Sequence, residues 1–171
     1  MKELKKYDIN LAKLSFKTHR FEFNLDDDFF ALFEQSYIIH GNLDAIIDLE
    51  RTERLITLHF SIKGEVQLIC DRSLEEFMHP IDVQETLILK FGEEEKELSE
   101  DILQITNDTQ SINVAQHLFD YIGLAVPMKK LHPRYQTEDN EDSEQDILIF
   151  STSTDRGMID DEDDNNDDNP D

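Results

Sequence analysis

Apolar residues recur at every second position over most of the first hundred residues, and at helical spacing in only two places. Phe21, Phe23 and Leu25 alternate with polar neighbours and predict a strand within Phe16–Leu25. Leu43, Ala45, Ile47 and Leu49 repeat the pattern before a polar turn at Glu50–Glu53. Leu58, Phe60 and Ile62 alternate up to Lys63-Gly64, and Val66, Leu68 and Cys70 alternate beyond it. Two such runs about a Gly-containing pair predict a hairpin there. Val83–Phe91 alternates through Leu87 and Leu89 and stops at Gly92 and a cluster of acids, and a shorter strand is expected at Ile102–Ile105. Asn24 or Asp26 is a candidate N-cap for a short helix that carries Phe29, Phe30, Leu32 and Phe33 on a buried aromatic side. Val114, Leu118, Ile122 and Val126 recur every four residues and predict a helix from about Asn113 to Val126. Asn113 is its candidate N-cap, Gln116 sits at the capping-box position, and Pro127 stops it. These elements sum to an α+β fold, an antiparallel β-meander sheet packed by two or three helices.

Charge divides the chain. Its 171 residues hold 40 Asp and Glu against 16 Lys and Arg, a formal charge of -24. Residues 136–171 carry 15 of those acids and one base, Arg156. That composition predicts a disordered acidic C-terminal tail following a single α+β domain over residues 1–135, with the change near His132-Pro133. One apolar island in the tail, Ile147–Phe150, predicts a short strand. So acidic a chain is poorly suited to neutralising nucleic-acid phosphates or to an anionic membrane surface. No apolar run reaches the roughly 18 residues of a membrane span. One cysteine allows no intrachain disulfide, and a cytoplasmic location is expected.

Candidate chemistry is sparse. The six histidines include no pair at helical ligand spacing, the five glycines form no phosphate loop, and Cys70 has no second cysteine for a zinc site. No enzymatic activity, cofactor or metal is expected. Two segments stand out. Cys70-Asp71-Arg72-Ser73-Leu74-Glu75 lies at a strand end, where Asp71 and Ser73 suit a turn and Cys70 suits a buried structural thiol. Leu74 is expected to pack against the hairpin, and Arg72 to pair with a body carboxylate or mark a contact surface. Pro127–Arg134 follows the second helix with Lys129, Lys130 and Arg134 in eight residues. Its cations suit a helix C-terminus or a small docking spot, and are too few for more than weak direct RNA binding.

In this order and about 50 residues apart, the two segments resemble the YceD family, the bacterial large ribosomal RNA subunit accumulation proteins. The likeness covers about Ile39–His132. It rests on Cys70–Glu75, which matches a Cys-Asp-Arg-Cys-Leu-Glu-like element, on Leu124-Ala125-Val126-Pro127, and on Leu131-His132. Ser73 stands where relatives carry a second cysteine, so any metal knuckle they form is expected to be missing. Asn169-Pro170 stands where relatives continue into a short apolar helix, so that element looks cut off here. The resemblance implies a non-enzymatic role in accumulating large-subunit ribosomal RNA. With the acidity, it points to a basic ribosomal protein, a processing factor or a ribonucleoprotein as partner. The competing expectation is a nucleic-acid mimic that inhibits a nucleic-acid-binding protein.

Overall fold

A computed structural model describes residues 3–34 and 36–135. The tail and the strand expected at 147–150 lie outside the described residues. The chain divides into two units, Met1–His132 and Pro133–Asp171. Of the second, the described part is a short 3₁₀ turn, Pro133–Tyr135, in which the Arg134 guanidinium lies 4.8 Å from the Tyr135 ring centroid.

The first unit begins with a 3₁₀ turn, Leu4–Tyr7. The elements that follow are β1 (Asp8–Asn10), β2 (Thr18–Leu25), α1 (Asp27–Ala31), β3 (Gly41–Arg51), β4 (Leu55–Ile69), β5 (Glu76–Phe91), β6 (Lys96–Ser99), β7 (Ile102–Ile105), β8 (Ser111–Asn113) and α2 (Ala115–Ala125). Six strands form one sheet in the order β2-β3-β4-β5-β7-β6, and β1 pairs with β8 in a small second sheet. The α+β class stands, and β2 to β5 form the expected antiparallel meander.

Two features of the sheet depart from the expectation. β7 runs parallel to β5, pairing Ile88 with Ile102 and Phe91 with Ile105, so the sheet is mixed; the unforeseen β6 closes its edge antiparallel to β7. The second departure is at Gly64, which makes no hairpin. β4 passes straight through it, and Gly64 pairs with Leu43 on one side and Ile81 on the other. The apolar positions 58, 60, 62, 66, 68 and 70 keep one parity across Gly64, which a continuous strand requires. Glycine is needed there because φ is +153° and a Cβ would meet the backbone of Asn42 and Leu43. The real hairpin lies one strand later, where Ile69 pairs with Glu76 and Cys70–Glu75 is the connecting loop.

One face of the sheet is apolar and covered. Ala45, Ile47, Leu49, Ile56, Leu58, Ile62, Leu87 and Leu89 are fully buried on it. The other face is wet and carries polar rows across the strands, such as Arg20 on Asp48 at 2.7 Å and His59 on Thr86 at 3.2 Å. Pro80 sits inside β5 where that strand has one partner among the described residues, β4, an edge position of the kind to which proline is confined in sheets. α1 forms as expected, with the Asp26 carboxylate accepting from Phe29 N, and its aromatics belong to the core. Phe29 meets Tyr7, Phe30 and Phe33 edge-on, and Phe33 stacks on Phe119 of α2 at 4.1 Å. The stripe Val114, Leu118, Ile122 and Val126 is buried as its spacing foretold. The start of α2 differs. Asn113 belongs to β8, where its side-chain amide donates to Leu4 O and Asp8 Oδ1, while its Oδ1 accepts from Ala115 N at the start of the helix. Gln116 donates to Asp120 one turn on, which excludes the capping-box role.

Candidate functional site

The two segments marked by the sequence meet in space. Asp71 N donates to Lys130 O at 2.7 Å, and Lys130 N donates back to Asp71 Oδ2 at 2.8 Å. His132 N donates to Cys70 Sγ at 3.3 Å, and its ring lies edge-on to Phe77 at 5.8 Å. Residues about 60 apart in sequence are thus joined by three hydrogen bonds, one between backbones and two from backbone N–H groups to the Asp71 and Cys70 side chains. Within the loop, Cys70 N donates to Glu75 O and Leu74 N to Cys70 O, so the six residues close on themselves. Ser73 Oγ reaches the Glu75 carboxylate at 3.2 Å.

Cys70 is fully buried, as expected of a structural thiol. Burial pushes its pKa up. The Ser73 hydroxyl and the backbone N–H groups of His132, Ser73 and Arg72 outweigh that and bring it to about 7. Leu74 corrects its expectation. It is 77% exposed and has φ +62°, because the sharp loop needs one left-handed residue at its end. Its side chain points to solvent and makes no part of the core. Arg72 is exposed on the same loop, as is Glu75.

On the other segment, Leu124 in the last turn of α2 and Met128 beyond it are almost wholly exposed, and Pro127 and Lys129 are exposed between and after them. Lys130 lies over the Tyr37 ring at 5.6 Å, and Tyr37 Oη donates to Gly123 O at 3.2 Å. Arg134 belongs to the other unit, so the stretch Pro127–Arg134 is divided after His132. The site that coheres is therefore Cys70–Glu75 with Pro127–His132, and Tyr37, which had no sequence signal, joins it. Among the described residues no three His, Cys, Asp or Glu side chains are grouped to hold a metal ion. No described helix is long and apolar enough to cross a membrane.

Fold and site together define a small mixed-sheet α+β protein in which the β4–β5 loop is bonded to the exit of the last helix. The family profile of the large ribosomal RNA subunit accumulation protein YceD matches residues 58–169. The match spans about two thirds of the chain, and the protein belongs to this family. It begins later than the likeness read from the two segments, within β4, and continues through residues 136–169. No curated protein and no solved structure matches.

Proposed function

We propose that this protein is a non-enzymatic ribosome-biogenesis factor. It supports accumulation of large-subunit ribosomal RNA by binding a basic protein partner or a ribonucleoprotein. The observation that carries the reading is the bonded pair of segments, Asp71 to Lys130 and Cys70 to His132, which fixes two otherwise separate pieces of the family-matched region as one rigid surface. Leu74 on the loop, and Leu124, Met128 and Lys129 around the helix exit, are exposed, side chains of the apolar and cationic kinds suited to protein contact. The net charge of -24 favours a partner of opposite sign, because complementary charge steers encounter and disfavours bare RNA.

The test is a strain lacking the protein, with large- and small-subunit ribosomal RNA quantified separately, and an affinity capture from lysate with and without nuclease. The reading expects a selective fall in large-subunit RNA and a basic protein retained after nuclease treatment. Unchanged ribosomal RNA together with capture of a DNA- or RNA-acting enzyme would favour nucleic-acid mimicry instead.

A further inference from the structure

A groove of about 820 Å³ runs along α2 beside β5, β6 and β7, ending at Tyr37 and Leu124, next to the bonded segments. Among the described residues, five carboxylates line it, Glu85, Glu97, Glu100, Asp101 and Asp120, and no Lys or Arg does. None of the five takes part in an ion pair among the described residues. Glu85 is the informative one. The alternation that turns Val83, Leu87 and Leu89 inward turns Glu85 to the same face, where it pairs in register with Phe60. A half-buried acid stands where the sheet's own pattern asks for an apolar side chain.

Tyr121 supplies an independent observation. It is more than nine-tenths buried, packs edge-on against Phe60, and lines the groove. Its hydroxyl has no hydrogen-bond partner among the described residues. Burial, and after it the charges of Glu85, Asp101 and Asp120, which line the same groove, push its pKa up to about 12. A buried hydroxyl without a partner costs free energy that a bound N–H donor would recover.

Resting on the reading that the protein works through a basic partner, we infer that this groove is the seat of an arginine-bearing segment of that partner. The described acids do not converge in threes on one point, so a single divalent cation is poorly matched and a string of separated cations is well matched. Residues 136–171, with 15 acids and one base, have the wrong charge for an occupant of an acidic groove. A guanidinium carries five donors in a planar fork, enough for two carboxylates and the Tyr121 oxygen, and it stacks on aromatic faces such as that of Tyr37 at the groove's end. Lysine offers a point charge without the stacking plane.

The experiment is fluorescence anisotropy of a labelled oligo-arginine peptide titrated with the full chain, with oligo-lysine of the same length as competitor. The triple variant Glu97→Gln, Glu100→Gln, Asp101→Asn is compared with Asp163→Asn, Asp164→Asn, Asp167→Asn, which removes the same charge from the tail. The groove triple is expected to weaken binding by about tenfold and the tail triple by less than about twofold. Tyr121→Phe is expected to weaken binding by about threefold while leaving the melting temperature unchanged or raised, since it deletes an unpartnered hydroxyl. Equal losses in the two triples, no loss in the groove triple, or oligo-lysine competing as well as oligo-arginine would overturn the inference. Peptide binding decides the groove by itself. Unchanged ribosomal RNA in the deletion strain would overturn only the functional reading.

Discussion

Leu74 is an apolar residue held at φ +62° with its side chain in water, so its identity contributes little to folding. The left-handed conformation costs a non-glycine residue about 1–2 kcal/mol. Leu74→Gly is therefore expected to raise the melting temperature in thermal unfolding, although the freer unfolded chain offsets part of the gain. Leu74→Ala is expected to change stability by less than about 0.5 kcal/mol, as an exposed position should, and to weaken partner capture if Leu74 is a contact. Cys70 makes the opposite case. Its folded pKa of about 7 lies below the ordinary 9.0, so the thiolate stabilises the fold. That contribution is complete above the unfolded value and is lost as pH falls through 7. The difference in melting temperature between wild type and Cys70→Ala is thus expected to widen from pH 7 to pH 9, with thiolate absorbance of the folded protein titrating near 7. A flat difference would mean that the hydrogen bonds to sulfur do not favour the anion. The sequence marked Cys70 correctly as buried, because it ends a run of alternating apolar positions. It misplaced Leu74, because whether a residue in a turn faces inward depends on the loop's backbone path.

Among the elements, the long strands were legible where parity was unbroken, and the error at Gly64 came from giving a local turn signal more weight than that parity. Gly64→Ala is expected to cost more than about 1 kcal/mol in denaturant unfolding, since both the φ and the Asn42–Leu43 backbone oppose a Cβ. A hairpin turn there would have tolerated Asn or Asp. β6 was invisible because all four of its residues are exposed, so it has no alternation. The parallel pairing of β7 with β5 rests on contacts between chain segments that no local pattern encodes. α2 was legible through its stripe, and Leu118→Ala, at a fully buried position, is expected to cost about 2–5 kcal/mol. The joint between the β4–β5 loop and the exit of α2 depends on the Asp71 carboxylate. Asp71→Ala is expected to abolish hydrogen-exchange protection at Lys130 N, whereas Asp71→Asn retains an acceptor and most of the protection. Composition indicated that both segments mattered; only the fold shows that they are one surface. The groove was missed for a related reason. Its acids come from β5, β6, the β6–β7 turn and α2, and in sequence they are indistinguishable from the other carboxylates.

For the molecule as a whole, the charge is unevenly held and the family match crosses the division. Residues 136–171 contribute 15 acids and one base, a net of -14 out of -24, and the matched region runs through them to 169. Charges in water act over about 10 Å at 0.1 M salt, so on the proposed reading a segment of this composition would raise the local concentration of a basic partner without a fixed contact. On the proposed reading, shape-specific contact would fall to the first unit, where Asp71 and Lys130 are bonded and the groove lies beside α2. These roles separate kinetically. Deleting residues 136–171 is expected to slow association with an oligo-arginine peptide in stopped-flow measurements and to flatten the dependence of that rate on salt, while dissociation changes little. The groove triple variant should do the reverse, speeding dissociation and leaving most of the salt dependence of association. If the truncated chain instead associates at the normal rate and releases the peptide much faster, the tail makes a specific contact, with Ile147–Phe150 as its apolar anchor, and steering by charge is the wrong account.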